Sequence, residues 1–269
     1  SDPLVTVTVL VDNVALGSVT ATAAGTWTFQ PSAAQALSEG THTASARATD
    51  AAGNVGPGAV PVTFFVDLTA PSAPVITAPA SGARLATPTP PVSGTAEANA
   101  TVAVFVGGVL DGTTVANGSG GWTYTLTSKA DGPYALTARA TDVAGNASTP
   151  SNVVDIVIDT SAPLAPAITS PASGASLATH TPTITGTSEP AAIITVFDGT
   201  TLLGTAIANG NGAWTFIVPA SPGLADGPHT LTARAADPAG NVSPPSAPVN
   251  VTVDTAAPAA PVITSPTEG

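Results

Sequence analysis

A long internal repeat is the feature that most constrains how this 269-residue chain can fold. Trp27, Trp122 and Trp214 lie in similar short segments and are separated by 95 and 92 residues, so one repeat is about 93 residues long. Because every copy of a repeat must build the same unit, the repeat decides the architecture before any local pattern does. A unit of this length can bury a core of its own. We therefore expect several similar domains in tandem.

Two further repeated segments give the register of the units. The segment Ala-Thr-Asp-Ala-Ala-Gly-Asn at 48–54 returns with small changes at 140–146 and 235–241. Asp67, Asp159 and Asp254 each open a stretch of the form Asp-x-x-Ala-Pro-x-x-Pro, which we interpret as a boundary. The predicted first module, 1–66, lacks its first two strands. The second and third modules, 67–158 and 159–253, are predicted to be complete, and 254–269 is predicted to be the first strand of a further module.

The alignment of the repeats also allows two interpretations of the chain ends. Ser1-Asp2-Pro3 aligns with Ser188-Glu189-Pro190, and 265–269 aligns with 170–174, so both ends fall inside modules. One interpretation is that the chain is an excerpt from a longer array. The alternative is that the C-terminal strand completes the first module of a neighbouring copy, which would join copies into a fibre by strand addition.

Period-two patterns predict an all-β fold with seven strands in each complete module. In the third module Val249, Val251 and Val253 alternate with polar residues, which is typical of a strand with one buried face. The 27 prolines and 26 glycines are spread in short clusters, as expected for turns between many strands. Trp214 and Phe216 fall on one face of the fifth strand and are predicted to anchor the core. The seven predicted strands of the third module are 167–170, 181–186, 193–197, 202–208, 213–218, 229–235 and 248–253.

Composition excludes several classes of function. The formal net charge of −12 argues against electrostatic binding of nucleic acid or anionic lipid. No apolar run approaches the roughly 18 residues that a membrane-spanning helix needs, so membrane insertion is not expected. The chain has no Cys, its three His are dispersed, and no serine lies in a nucleophile elbow. We therefore expect no enzymatic activity.

Residues that occupy the same position in successive repeats form a column of the alignment. One such column lies at the start of the sixth strand and contains His42, Tyr134 and His229. In sandwiches of two antiparallel sheets a tyrosine at this position often fastens the preceding loop through its hydroxyl. We therefore interpret the column as a structural polar anchor.

Five motifs, at 94–99, 121–124, 130–132, 140–146 and 159–163, follow one another in a fixed order that is repeated along the chain. Together they resemble the bacterial immunoglobulin-like repeats of giant secreted adhesins. The resemblance covers the whole chain, and it implies tandem immunoglobulin-like β-sandwiches in a linear rod, an extracellular location on the bacterial surface or in the medium, and calcium ions at the module junctions. The expected function is that of a structural stalk or spacer, whose partners are neighbouring modules and whose host or surface ligand is bound elsewhere in the full protein. An alternative is a ligand-binding module.

Twelve of the seventeen acidic residues fall in four repeated columns. In a seven-stranded sandwich the entry residue and the loops after the second and sixth strands lie at one pole, and the loop before the sixth strand lies at the other. Residues from all four columns should therefore meet where one module follows another. The columns are Asp2, Glu97 and Glu189; Glu39, Asp131 and Asp226; Asp50, Asp142 and Asp237; and Asp67, Asp159 and Asp254.

Carboxylates gathered in this way repel one another unless a cation lies among them. Calcium is the expected cation, because it takes about six to eight oxygen ligands with flexible geometry and the chain offers only oxygen. The alternative is that the acids cap loops through Asx turns and keep the surface soluble. The predicted ligands are Glu39, Asp67, Glu97, Asp142 and Asn146 at one junction, and Asp131, Asp159, Glu189, Asp237 and Asn241 at the next.

Overall fold

A computed structural model describes residues 4–262, and these form twenty β-strands and one three-residue 3-10 helix. The chain divides into two compact units whose boundary falls within the second module. The first unit holds the chain up to Ala78 together with Ser93–Tyr124 and Thr137–Val153, and the second unit holds the rest. No helix among the described residues is long and apolar enough to cross a membrane. The predicted all-β fold is confirmed.

The first module forms a single antiparallel sheet in the order β2-β1-β3-β4. The segment around Trp27 and Phe29 lies outside any strand, although its pattern predicted one. A strand needs a neighbour to accept its hydrogen bonds, and the strands that flank the equivalent segment in the third module have no counterpart among the described residues of the first. The elements are β1 (Thr6–Val11), β2 (Val14–Thr20), a 3-10 helix (Ala33–Gln35), β3 (Gly40–Thr49) and β4 (Val62–Val66).

The second module contains two sheets, a three-stranded sheet in the order β10-β7-β5 and a five-stranded sheet in the order β6-β12-β11-β8-β9. The strand β6 runs parallel to β12, and the pairs β5–β7, β8–β9 and β11–β12 are antiparallel. The strands are β5 (Val75–Ala78), β6 (Ala83–Leu85), β7 (Pro91–Thr95), β8 (Thr101–Val106), β9 (Val109–Val115), β10 (Gly121–Thr125), β11 (Gly132–Thr141) and β12 (Val154–Ile158).

The third module repeats this arrangement, with sheets β13-β15-β18 and β14-β20-β19-β16-β17. All seven predicted strands are present. The short strand β14 was not predicted; it follows β13 but pairs in parallel with β20, so the chain passes from one sheet to the other. The strands are β13 (Ala167–Ser170), β14 (Ala175–Leu177), β15 (Thr183–Thr187), β16 (Ile193–Asp198), β17 (Thr201–Ile207), β18 (Ala213–Ile217), β19 (Gly227–Ala236) and β20 (Val249–Val253).

The core of the third module is built from the inward residues of both sheets. Ile184, Ile194 and Leu231 are fully buried there and pack in one cluster with Trp214. Gly186 on β15 makes room for the indole, because a Cβ at this position would lie 2.3 Å from Cζ2 of Trp214. Full burial of each such aliphatic side chain contributes about 1.5–3 kcal/mol.

The predicted strand of a further module, 254–269, can be followed only in part. The described residues 254–262 lie outside the strands. The remainder, 263–269, and the aligned segment Ser1-Asp2-Pro3 lie outside the described residues.

Candidate functional site at the module linkers

Two short segments, the first linker (67–72) and the second linker (159–164), connect the modules and collect most of the predicted site residues. Asp237 lies in the loop after β19, where its Oδ1 accepts the N–H groups of Ala239, Gly240 and Asn241 at 2.8, 2.8 and 2.9 Å. Gly240 has φ +96°, a left-handed conformation that glycine adopts without strain. Asp237 therefore caps its own loop.

The charge of Asp237 is stabilised by this cap. Burial tends to raise the pKa of the carboxyl group, but the bonds from Asn241, Ala239 and Gly240 outweigh it and hold the pKa below its ordinary value. Asp142 is capped in the same way, and its Oδ1 accepts the N–H groups of Gly145 and Asn146 at 2.7 and 2.8 Å. These aspartates are ionised acceptors whose hydrogen bonds come from the protein.

The asparagine of each capped loop reaches the linker that enters its module. Nδ2 of Asn241 donates to Oδ2 of Asp237 at 2.8 Å and also to the main-chain oxygen of Asp159 at 2.6 Å. Nδ2 of Asn146 bridges Oδ2 of Asp142 at 2.9 Å and the main-chain oxygen of Asp67 at 3.0 Å. The loop after the sixth strand is thus tied to the entry residue of its own module.

The acidic residue before the sixth strand holds the linker that follows its module. Oδ1 of Asp131 accepts the N–H and the hydroxyl of Thr160 at 2.9 and 2.8 Å, and its Oδ2 accepts the hydroxyl of Ser161 at 2.8 Å. The N–H of Thr160 makes the largest contribution to lowering the pKa of Asp131. Asp226 accepts the N–H and the hydroxyl of Thr255 in the same manner, at 3.1 and 3.0 Å.

The first linker is held by a longer side chain that reaches a later residue. Oε2 of Glu39 accepts the hydroxyl of Thr69 at 2.6 Å. Thr69 stands two residues after its entry aspartate, whereas Thr160 and Thr255 stand one residue after theirs. Glutamate has one more methylene group than aspartate, and this extra reach matches the shifted threonine.

The remaining predicted residues also lie beside the linkers. Oε1 of Glu189 accepts the N–H of Leu164 at 3.0 Å. Oδ1 of Asp67 accepts the N–H of Thr69 at 3.0 Å, within the first linker itself. Glu97 lines a surface cavity of about 320 Å³ with Ser72, Ala73, Thr95 and Ala96.

The structure thus brings the predicted residues to the linkers, but it joins them through main-chain and hydroxyl groups. Among residues 4–262 there is no group of three or more His, Cys, Asp or Glu side chains that could hold a metal ion. The calcium site stays a prediction. The hydroxyl residues of the two linkers, Thr69, Thr160 and Ser161, were not predicted to take part, nor was Thr255 after the third module. The signal for the threonines was their position within two residues of each entry aspartate.

Comparison with known proteins identifies one matching family model. The model described as "Bacterial Ig-like domain" matches residues 2–68, 83–160 and 171–255. A search of curated protein sequences found no match.

The chain also aligns with solved structures, of which three are described. Fibronectin(III)-like modules of CbhA from Clostridium thermocellum align with 67% of this chain and 93% of their own, at 19% identity and a TM-score of 0.49. A structure of a 1.5-MDa bacterial ice-binding adhesin aligns with 93% of this chain and 86% of its own, at 22% identity and a TM-score of 0.35. A Ca2+-stabilized adhesin of an Antarctic bacterium aligns with 93% of this chain and 65% of its own, at 23% identity and a TM-score of 0.40.

Proposed function

Because the chain belongs to the family of bacterial Ig-like domains, we propose that it is a spacer segment of an extracellular bacterial adhesin or surface fibre. Its tandem sandwiches carry a binding region that lies elsewhere in the full protein. Repeated modules suit this task, because length can be changed by adding or removing units while each unit keeps its own core.

The observation that carries the proposal is that the second linker is held from both of its ends. Asp131 of the second module binds Thr160 and Ser161, and Asn241 of the third module binds the main chain of Asp159. A free linker of Ser, Thr and Ala would let neighbouring domains reorient. Side chains that fasten the linker reduce this freedom, which supports a role in keeping modules apart and in line.

We further propose that calcium strengthens the same junctions. The amide of Asn241 lies between two oxygens, the main-chain oxygen of Asp159 and Oδ2 of Asp237. A side-chain amide that rotates by half a turn presents its oxygen where its nitrogen lies, so this position can offer a third oxygen to a cation. Carboxylate, amide and main-chain oxygens are the ligands that Ca²⁺ prefers. Asp159, Asp237 and Asn241 would hold the ion, with Glu189 and Asp131 nearby along the linker.

The spacer proposal predicts that length follows the number of modules. A chain with a second copy of 159–253 inserted after residue 253 should gain about 33 Å in maximum dimension, the length of a ten-residue strand such as β19. Small-angle X-ray scattering of both chains would measure the gain. A longer chain of unchanged maximum dimension would show that the modules fold back on one another and would contradict the spacer role.

The calcium proposal needs a separate measurement, because the spacer role can stand without it. Calorimetric titration with CaCl₂ should show binding that is weakened at least tenfold by Asn241→Leu. Asn209→Leu is the matched control: Asn209 caps the turn between β17 and β18 through its Oδ1, and its side-chain hydrogen bonds among the described residues stay within that turn. Absence of calcium binding, or equal loss in both variants, would reject the calcium site and leave the spacer role intact.

A fibre subunit joined by strand addition is the second candidate. The observation that favours it is the exposure of Trp27, at 39%, on a module that has a single sheet. This candidate predicts polymers whose mass by light scattering rises with protein concentration. A constant monomeric mass up to millimolar concentration would exclude it.

A further inference from the structure

The side chains of His42, Tyr134 and His229, at the start of the sixth strand, each contact the loop that precedes this strand. We call this arrangement a corner, and the ring that forms it differs between modules. In the second module the hydroxyl of Tyr134 donates to the main-chain oxygen of Ala130 at 3.0 Å, which is the hydrogen bond of a tyrosine corner. The acceptor lies four residues before the tyrosine. This bond fastens the loop before β11 to the strand itself.

Histidine takes the place of the tyrosine in the first and third modules. Nε2 of His42 lies 2.8 Å from the main-chain oxygen of Ser38, and Nε2 of His229 lies 2.7 Å from that of Ala225. Both acceptors again lie four residues before the ring. The imidazole therefore makes the same contact as the tyrosine hydroxyl.

Each histidine also makes a second contact, which the tyrosine does not. Nδ1 of His42 lies 2.6 Å from Oδ2 of Asp12, and Nδ1 of His229 lies 2.7 Å from Oδ2 of Asp198. In the second module Val106 occupies the position of Asp198, and Gly107 occupies that of Asp12, which lies one residue further along the hairpin. The aspartate and the histidine thus occur together, and both are absent from the second module.

The two contacts of each ring require two protons. A main-chain oxygen and a carboxylate are both acceptors, and a neutral imidazole has only one N–H group. In either neutral tautomer one nitrogen lone pair would face an oxygen at less than 3 Å. The observed geometry therefore fits the imidazolium ion.

The groups that face the two rings are few. His42 is 8% exposed, pairs with Phe64 on β4, and has its ring centroid 5.8 Å from that of the phenyl group. His229 pairs with Val251 on β20. The facing carboxylates, Asp12 and Asp198, also accept the N–H groups of Thr43 and Thr230, which fixes their orientation.

The loop before the sixth strand, which each ring contacts, also carries the acidic residue that binds the segment following its module. Ser38 directly precedes Glu39, whose carboxylate binds Thr69 of the first linker, and Ala225 directly precedes Asp226, which binds Thr255. Asp131 holds the equivalent place after Ala130, the partner of Tyr134. The corner and the linker contact are therefore adjacent parts of one loop in all three modules.

We propose that the His42 and His229 corners are proton-operated latches that secure the linker-holding loop while the ring is protonated and loosen it when the ring loses a proton. The Tyr134 corner makes its contact through a hydroxyl and has no imidazole that could release the loop. A rise in pH that removes the proton from the rings would then loosen the first linker and the segment that follows the third module, while the second linker would not respond.

The pKa values of both rings shift in the direction that the latch needs. The bond to Asp12 is the main cause that raises the pKa of His42 above its ordinary value of 6.5. For His229 partial burial lowers the pKa, but the Ala225 oxygen and Asp198 together outweigh it, and the pKa is raised. A pKa raised by folding gives stability that is complete below pH 6.5 and is lost as pH rises through the folded-state value.

Nitrogen-15 NMR of the full chain tests the protonation state directly. His42 and His229 should each show two protonated ring nitrogens at pH 6 and a pKa above 6.5, and Asp12→Asn or Asp198→Asn should lower the pKa of its partner by about one unit or more. Spectra with one bare nitrogen at pH 6, or pKa values that the aspartate substitutions leave unchanged, would overturn the proposal.

Hydrogen exchange tests the effect on the linkers. Between pH 6 and pH 9, with the intrinsic pH dependence removed, protection of 67–72 should fall about tenfold, while protection of 159–164 should stay constant. In His42→Tyr, which installs the corner of the second module, 67–72 should lose this pH dependence. The first linker is the better reporter, because His180 also contacts Thr255 in the third module, at 3.3 Å. Equal behaviour of the two linkers in the unmodified chain would refute the latch.

Discussion

The first and third modules contain equivalent tryptophans in very different surroundings. Trp214 is 2% exposed between two sheets, whereas Trp27 is 39% exposed beside one. Both modules nevertheless form the same antiparallel ladder of four long strands, β2-β1-β3-β4 and its counterpart β17-β16-β19-β20. The larger sheet therefore forms through its own strand pairings, whereas burial of the tryptophan depends on the smaller sheet.

The histidine corner and the loop after the sixth strand form wherever the larger sheet forms. The His42 and His229 corners have the same contacts within about 0.1 Å, although the third module has a second sheet and the described residues of the first form one sheet. Each contact joins neighbouring strands or a strand to its own preceding loop. We conclude that these features are local to the larger sheet.

Replacing the tryptophans should give the largest difference between the modules. Trp214→Ala removes a fully buried aromatic side chain and should destabilise the third module by about 3–5 kcal/mol. Trp27→Ala should cost the first module only about 1–2 kcal/mol, because much less of its surface is removed from water. Hydrogen exchange followed by mass spectrometry during urea unfolding of the full chain would resolve the modules. Equal losses at the two positions would contradict the comparison.

The loop before the last strand also differs between the first and third modules, because only the third has serines at two of its positions. Ser243 and Ser246 are buried, and their hydroxyls accept the N–H groups of Ala235 and Ala233 on β19 at 2.9 and 3.0 Å. The first module has Gly56 and Ala59 at the same positions, identified by their main-chain bonds to Ala48 and Ala46. The first module therefore has no hydroxyl to offer there.

Removing and adding these hydroxyls should have opposite effects. Ser243→Ala leaves a buried N–H without its acceptor and should cost the third module about 1–3 kcal/mol. Gly56→Ser should stabilise the first module by up to about 1 kcal/mol, since a Cβ there meets no atom closer than 3.6 Å. Both effects can be read as shifts of the urea midpoint of each module. A stabilising Ser243→Ala, or a destabilising Gly56→Ser, would show that the hydroxyl contacts do not govern this loop.

The sequence was sufficient to predict features that depend on periodicity. Alternating Val249, Val251 and Val253 predicted β20, and the repeated aspartates were placed around the linkers because alternating strand direction brings those loops to the same pole. These inferences need only the order of strands and the side-chain period.

Features that depend on a distant partner could not be predicted. The three residues of β14 are too few to show a period, and their pairing with β20 joins segments more than seventy residues apart. The pattern around Trp27 matches that around Trp214, yet only the latter is a strand, because strand formation there depends on β15. The linker contacts of Thr160 and Ser161 were missed because hydroxyl residues occur throughout the chain.

The loops capped by Asp50 and Asp237 should give the smallest difference between the first and third modules, and this difference should be measurable at acid pH. Bonds from the Asn54 side chain are the main cause that lowers the pKa of Asp50, and bonds from Asn241 and its loop outweigh burial to lower that of Asp237. A carboxyl group whose pKa is lowered by folding gives stability above its unfolded value of 3.8, and this stability is lost as pH falls through the folded-state value.

The two loops should differ in how far the acid effect spreads. Asn54 bonds only to Asp50 among its side-chain contacts in the described chain, whereas Asn241 also holds the main chain of Asp159. Protonation of Asp237, which takes place below pH 3.8, should therefore raise hydrogen exchange in the second linker as well as in its own loop, and protonation of Asp50 should affect its own loop alone. Asp237→Asn should reduce the acid response of the second linker without abolishing it, because Asp131 also holds Thr160 and Ser161 and its pKa is lowered as well. A linker that loosens in acid to the same extent in this variant would show that the capped loop does not hold it.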